Sequence, residues 1–187
     1  MKRRSAPLIS LPTQFNGCNF RSRLEARWSI FFNELGFQWE YEPEWFDLGN
    51  DVRYLPDFRI AYPKARGGWL WFEVKPNFSN ISATDWIKIK EFAKIRDMII
   101  LDGFPAWRTY IPASWFFDSK NPYHLTIEQA CGQDSRKGVF LWDHETQLPK
   151  LRHGGYAPAM FDYNNRKMHD AVSKASYAWF GKLESQT

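Results

Sequence analysis

The fold of this chain is decided by residues 67–76, which read Gly67-Gly68-Trp69-Leu70-Trp71-Phe72-Glu73-Val74-Lys75-Pro76. Aromatic and aliphatic side chains on both faces, between a Gly-Gly turn and a proline, are typical of a central strand of a sheet. An extended run, Tyr54–Tyr62, precedes the turn and carries Pro56 near its start, where a missing N–H does little harm. The two runs predict an antiparallel hairpin.

The sequence after Pro76 predicts a crossover to a second central strand. Ser82-Ala83-Thr84-Asp85 has the pattern of a capping box, and Trp86, Ile89 and Phe92 follow at helical spacing. Met98-Ile99-Ile100-Leu101 then has the composition of a buried strand. A strand, a helix and a strand within this length form a β-α-β unit, so the third and fourth strands should be parallel neighbours.

The flanking sequence predicts further elements around this unit. A helix is expected over Ser22–Leu35, ended by Gly36, and an alternating strand over Phe37–Tyr41. Beyond residue 103 one strand is expected at Val139–Trp142, and a closing helix within Phe161–Phe180. The predicted fold class is α/β, with a mixed sheet flanked by helices.

Length and composition bound the remaining possibilities. A chain of 187 residues with 44% hydrophobic residues suits one globular domain and excludes global disorder. We expect an N-terminal arm over residues 1–19 and a single domain over 20–187, with a core at 20–103 and a variable part at 104–187. Two cysteines are too few for a disulfide scaffold or a zinc ribbon. Apolar runs are too short to span a bilayer, and Pro7 and Pro12 interrupt any signal peptide, so we expect a cytoplasmic protein.

The charge balance is mildly basic, with 25 Lys and Arg against 21 Asp and Glu and a net charge of +4. Basic residues cluster at Arg21, Arg23 and Arg27 and again around Lys88 and Lys90. Such clusters suit contacts to nucleic-acid phosphates, and they equally suit ordinary solvated helix faces. Sequence motifs of P-loop ATPases, dinucleotide-binding folds, α/β-hydrolases and zincins are absent from the chain.

Four residues form a candidate catalytic constellation. Glu73 and Lys75 are two apart on the predicted central strand, so they share a face, and the hairpin could bring Asp57 beside Glu73. Two close carboxylates repel each other, and a divalent cation keeps both ionised. Glu25 lies at the margin of the apolar stripe of the first helix and could reach toward the sheet. Separately, each has an ordinary alternative: a helix-surface pair for Glu25, a turn for Asp57, and an exposed ladder pair for Glu73 and Lys75.

Four segments also carry a family resemblance. They are Arg21-Ser22-Arg23-Leu24-Glu25-Ala26-Arg27-Trp28, Tyr41-Glu42-Pro43, Tyr54-Leu55-Pro56-Asp57-Phe58 and Trp71-Phe72-Glu73-Val74-Lys75. In this order they resemble the PD-(D/E)XK nuclease superfamily, and more closely its small phage- and prophage-encoded nucleases. Pro56-Asp57 matches the PD element and Glu73-Val74-Lys75 the (D/E)XK element, and the match covers roughly residues 20–103.

The resemblance implies a restriction-endonuclease-like core and a catalytic set of Glu25, Asp57, Glu73 and Lys75. Mg²⁺ would be held by Asp57, Glu73 and the backbone carbonyl of Val74, with Mn²⁺ able to substitute and Glu25 a candidate for a second metal. The ion would polarise the scissile phosphate and lower the pKa of a bound water. Lys75 would orient that water and stabilise charge on the phosphate.

The implied activity is a phage-encoded, metal-dependent DNA endonuclease of the bacterial cytoplasm, selective for DNA structure or weakly for sequence. Arg21, Arg23, Arg27, Lys88 and Lys90 would contact phosphates. Aromatic side chains such as Trp45, Trp107 and Trp115 could stack on unpaired bases, although packing in the core or at an interface is the more common use of such residues. Two alternatives stay open: a catalytically idle DNA-binding or regulatory protein on the same scaffold, and a phage protein whose residues 104–187 bind a phage or host partner. Homodimerisation also stays open.

Overall fold

The computed structural model describes residues 11–63, 65–105, 108–112, 138–143, 148–152 and 166–180. The described helices are α1 (Arg23–Leu35), α2 (Ala83–Ile95) and α3 (Arg166–Tyr177). The described strands are β1 (Thr13–Phe15), β2 (Cys18–Phe20), β3 (Trp39–Tyr41), β4 (Phe46–Asp47), β5 (Arg53–Tyr54), β6 (Phe58–Ala61), β7 (Trp69–Lys75), β8 (Asp97–Asp102), β9 (Arg108–Pro112), β10 (Gly138–Asp143) and β11 (Leu148–Arg152).

Seven of these strands form one mixed sheet in the order β11-β10-β9-β8-β7-β6-β3. β7 and β8 run parallel and the other neighbours run antiparallel. The parallel pair is joined through α2, as the β-α-β prediction requires, and β7 matches its predicted bounds. The protein is therefore a mixed α/β protein, as expected from the sequence.

Helices cover both faces of the sheet. α1 and α3 pack together with the strand side chains Phe72, Val74 and Leu101 on one face. α2 packs on the other face, where Trp71 and Ile100 meet Ile89 and Phe92. β7 is consequently buried from both sides, so its charged side chains need partners inside the protein.

The caps of α1 and α2 follow the sequence. Ser22 accepts a hydrogen bond from the backbone N–H of Glu25, and Ser82 does the same for Asp85. α1 ends at Gly36 in the left-handed conformation, φ 78°, which glycine adopts without a Cβ clash. These caps place Glu25 and Asp85 in the first turns of their helices.

Three local expectations differ from the structure. The extended run Tyr54–Tyr62 is split, because the Asp57 side chain, not the backbone, accepts from Val74 N–H and Pro56 has no N–H to donate. The expected arm contains a hairpin of β1 and β2, whose turn residues Asn16 and Gly17 both have positive φ. The part after residue 103 contains β9 and β11 in addition to the expected strand and helix.

No helix in the described part of the chain is long and apolar enough to cross a membrane.

Candidate active site

Asp57 lies at the start of β6, beside the end of β7. Phe58 and Phe72 are paired in the antiparallel register, so Asp57 falls opposite Glu73. The Asp57 carboxylate is buried, and its Oδ2 accepts a hydrogen bond of 2.7 Å from the backbone N–H of Val74. Its Oδ1 accepts one of 2.7 Å from Nη2 of Arg21. A single side chain thus ties the first helix region, β6 and β7 together.

Glu73 is held by groups from two other elements. Its Oε1 lies 2.9 Å from Nζ of Lys75, and its Oε2 accepts a hydrogen bond of 2.6 Å from the hydroxyl of Tyr54. Lys75 also lies 3.2 Å from Oδ2 of Asp85 in the first turn of α2. Glu73 and Lys75 share one face of β7 as their spacing predicts, and they form an ion pair there.

Glu25 completes the cap of α1. Its Oε1 accepts from the hydroxyl of Ser22, and its Oε2 accepts from the backbone N–H of Arg21 and from the hydroxyl of Tyr41. This pattern is a variant of the capping box, in which the acid accepts from the N–H of Arg21, one residue before the N-cap, and not from the N–H of Ser22. Glu25 therefore reaches inward, as expected, but its oxygens are occupied by donors at the start of α1 and on β3.

Glu42 is the second acidic partner of Arg21, after Asp57. Nε of Arg21 forms an ion pair with Oε1 of Glu42, while Nη2 binds Asp57. Glu42 has φ 44°, a left-handed conformation that residues with a Cβ rarely adopt. The backbone N–H of Glu42 donates to the Asp57 carbonyl at 2.9 Å, which holds this conformation beside the site.

The acids interact electrostatically. Burial raises the pKa of Asp57 well above its usual range, and the charges of Glu73 and Glu25 raise it further, against the opposing effects of Val74 N–H and Arg21. Burial lowers the pKa of Lys75, but Glu73, Asp85 and Asp57 outweigh that effect and the pKa stands above its ordinary value. Lys75 is therefore an ammonium ion at neutral pH.

The structure thus brings Glu25, Asp57, Glu73 and Lys75 into one cluster at the end of the central strand. Sequence reasoning missed three of their side-chain partners, Tyr41, Tyr54 and Asp85. It also missed Glu42, which pairs with Arg21 beside Asp57. Tyr41 and Glu42 lie inside a quoted segment but carry no periodic signal for their contacts. The Ser22-x-x-Glu25 spacing, in contrast, is a readable capping signal.

Of the five predicted DNA-contacting residues, two are bonded to other groups of the protein, and Arg21 is the first, through Asp57 and Glu42. Arg27 is engaged inside the protein, because its Nη1 donates to the carbonyls of Ala175 and Ser176 at the end of α3. Arg23 is exposed and lies 3.5 Å from the Phe180 carbonyl. Lys88 is half-buried one turn beyond Asp85 on α2, and Lys90 is exposed. Arg23, Lys88 and Lys90 remain accessible to a ligand.

The donor set at the site suits a hard divalent cation. Asp57 and Glu73 supply buried carboxylate oxygens, and Mg²⁺ is commonly bound by one or two carboxylates with water completing its octahedron. Two basic groups, Arg21 and Lys75, face a larger number of carboxylates, and the pKa of Asp57 is raised first by burial and then by the charges of Glu73 and Glu25. Within the described ranges, no three acidic, His or Cys side chains form a preassembled metal cage. A cation here would depend on two carboxylates and water.

Comparison with family models, curated proteins and solved structures finds no significant match to this chain.

The three tryptophans predicted as stacking candidates differ in what the structure describes. Trp45 is exposed, while Trp107 and Trp115 lie outside the described residues.

Proposed function

We propose that this protein is a metal-dependent DNA endonuclease with a restriction-endonuclease-like core, of phage type. The observation that carries the proposal is the meeting of Asp57, Glu73 and Lys75 at the end of β7, with Asp57 bonded to Val74 N–H at 2.7 Å. Two buried acids and a protonated lysine at the end of a central strand suit phosphodiester hydrolysis.

Asp57, Glu73 and the backbone carbonyl of Val74 would hold Mg²⁺, and Mn²⁺ has the same preference for oxygen ligands. When bound, the ion supplies Lewis-acid polarisation of a phosphate oxygen and a bound water of lowered pKa. The protein keeps these carboxylates in place beforehand through Tyr54 on Glu73 and Val74 N–H on Asp57.

Lys75 acts as a cation and not as a base, because its pKa stands above the ordinary value. Its ammonium group would orient the attacking water and stabilise negative charge that develops on the phosphate. Asp85 holds this ammonium from the α2 side. Glu25 fixes the start of α1 and thereby positions Arg21, so we assign it a positioning role.

Accessible basic side chains flank the cluster on both helices. Arg23 on α1 and Lys88 and Lys90 on α2 would contact DNA phosphates, which positions a duplex without reading its sequence. Contacts of this kind give little selectivity for sequence, and the selectivity that we propose is for DNA structure.

Nicking of a supercoiled plasmid tests the proposal. The wild-type chain should nick the plasmid with Mg²⁺ or Mn²⁺ and not with EDTA. Lys75→Ala should slow nicking by about 100-fold or more, since it removes a charge aimed at the phosphate. Circular dichroism should show an unchanged fold.

Lys94→Ala is the matched control, because Lys94 on α2 is exposed and pairs with Glu91 away from the site. It should nick at the wild-type rate. Full nicking by Lys75→Ala would contradict the assignment. A wild-type chain that binds DNA but never cleaves it with either metal would instead support the idle DNA-binding scaffold.

A further inference from the structure

Large aromatic side chains are exposed around the end of α3 and after β8. Tyr177 is 86% exposed, Trp179 is 87% exposed and Phe104 is 59% exposed. Burying rings of this size would stabilise a folded protein, so a group of them in solvent commonly marks a binding surface. We call Phe104, Tyr177 and Trp179 the aromatic rim.

Arg27 contacts Phe104 of the aromatic rim and the backbone of the segment that carries the other two members. Its guanidinium lies 5.2 Å from the ring centroid of Phe104 and 5.4 Å from that of Phe180. It also donates to the carbonyl of Ser176, the residue before Tyr177. Phe104 and the segment that carries Tyr177 and Trp179 therefore meet around one side chain of α1.

The aromatic rim adjoins the candidate active site. The backbone N–H of Gly103 donates to the carbonyl of Lys75 at 2.8 Å, and the carbonyl of Gly103 accepts from Nε1 of Trp28 at 3.0 Å. Phe104 is the next residue, so the rim begins one residue from backbone that is bonded to Lys75. The rim and the cluster therefore meet at the backbone where β7 and β8 end, with the Lys75 side chain toward α2 and Phe104 against Arg27 of α1.

The aromatic rim and Trp45, another exposed tryptophan among the described residues, lie in segments of different charge. Arg23 and Arg27 lie at the rim, and Arg23 reaches the carbonyl of Phe180. Trp45 is 66% exposed but belongs to an acidic segment. The acids of that segment are Glu40, Glu42, Glu44, Asp47 and Asp51. The arginines of the first surface attract polyanionic DNA, whereas the second surface offers acids, three of which are paired with Arg21 or Arg59.

Building on the nuclease function proposed above, we propose that the aromatic rim binds the unpaired strand of single-stranded or branched DNA. The bases stack on Phe104, Tyr177 and Trp179 while Arg23 contacts a phosphate. Aromatic platforms bordered by basic groups bind single strands because every base has a face that can stack. The preferred substrate is then DNA with an unpaired strand next to the cleavage site.

Fluorescence anisotropy tests this on the full chain, with a labelled oligothymidine of about 20 nucleotides and a duplex of equal length. EDTA or Ca²⁺ replaces Mg²⁺ so that binding is measured without cleavage. Trp179→Ala and Phe104→Ala should each weaken binding of the single strand about fivefold or more, and binding of the duplex less than twofold. Trp45→Ala is the matched control and should leave both unchanged.

Equal losses for the single strand and the duplex would overturn the inference, and so would an equal loss in Trp45→Ala. A wild-type chain that binds no single strand in EDTA or in Ca²⁺ would also overturn it. Failure of the nuclease proposal gives a different result, namely strong single-strand binding that depends on Trp179 with no nicking in Mg²⁺. Intact nicking together with unchanged binding by both rim variants would contradict this inference alone.

Discussion

Arg21 occupies a position on Asp57 that a metal ion would also use. Its guanidinium bridges Asp57 and Glu42, with Nη2 2.7 Å from Oδ1 of Asp57. A bound divalent cation and Arg21 therefore compete for the same carboxylate, since both neutralise it. Arg21 is more than half exposed, so the pair contributes at most about 1 kcal/mol.

Removing this competitor should tighten metal binding. Arg21→Gln should lower the Kd for Mn²⁺ by up to about fivefold, the equivalent of about 1 kcal/mol, as measured by isothermal titration calorimetry without DNA. Arg59→Gln is the control, because Arg59 pairs with Glu40 and Glu44 outside the cluster. A Kd for Arg21→Gln that equals or exceeds the wild-type value would show that Arg21 does not compete.

At this scale the sequence predicted the acids and the lysine but not their partners. The two-residue period of a strand puts Glu73 and Lys75 on one face whatever the fold, and the hairpin then fixes Asp57 opposite Glu73. Tyr54 and Asp85 reach the cluster through tertiary packing, 19 residues from Glu73 and 10 from Lys75. No local pattern encodes such contacts.

Helices and strands with strong apolar periodicity and capping residues could be predicted from the sequence. α1, α2 and β7 lie where their apolar spacing and caps placed them, because local and tertiary preferences agree there. The hairpin of β1 and β2 was missed although Asn16-Gly17 is a strong turn signal, since two prolines nearby suggested an irregular arm. β9 and β11 were missed because neither sequence alternates clearly; β11 is the edge strand, and β9 lies between β8 and β10.

The attachment of α3 depends on Arg27. Its guanidinium binds the terminal carbonyls of the helix at Ala175 and Ser176, which lack partners within the helix. Arg27→Ala should destabilise the protein by roughly 1–3 kcal/mol, because bonds from a charged donor are lost. Hydrogen exchange should show faster exchange over residues 166–177, with a lower denaturation midpoint.

Arg166→Ala is the control for this change. Arg166 lies on the same helix, is exposed, and makes only a loose 3.9 Å pair with Asp170. It should shift the midpoint little. Unchanged exchange over residues 166–177 in Arg27→Ala would show that apolar packing of Met168, Ala171 and Ala175 alone holds the helix.

In the whole molecule, the acids buried at the end of β7 lower the stability of the folded state. Asp57 and Glu73 are buried on the sheet that organises both cores, and the mutual repulsion of the acids opposes folding. A carboxyl whose pKa is raised in the folded state binds more protons there than in the unfolded chain. The contribution of Asp57 to the free energy of unfolding therefore falls as pH rises above about 4.

A divalent cation should offset that loss. At pH 7.5, Mg²⁺ at about 100 times its Kd should stabilise the wild-type chain by about 2.7 kcal/mol and raise its Tm by several degrees. Near pH 4 the Mg²⁺-dependent rise in Tm should shrink, because a proton competes with the ion for the Asp57 carboxylate. Asp57→Asn should lose the shift at pH 7.5, whereas Asp97→Asn, which alters a surface pair with Arg66, should keep it. Differential scanning calorimetry measures this without DNA, and equal Mg²⁺ shifts in both variants would place any bound ion away from Asp57.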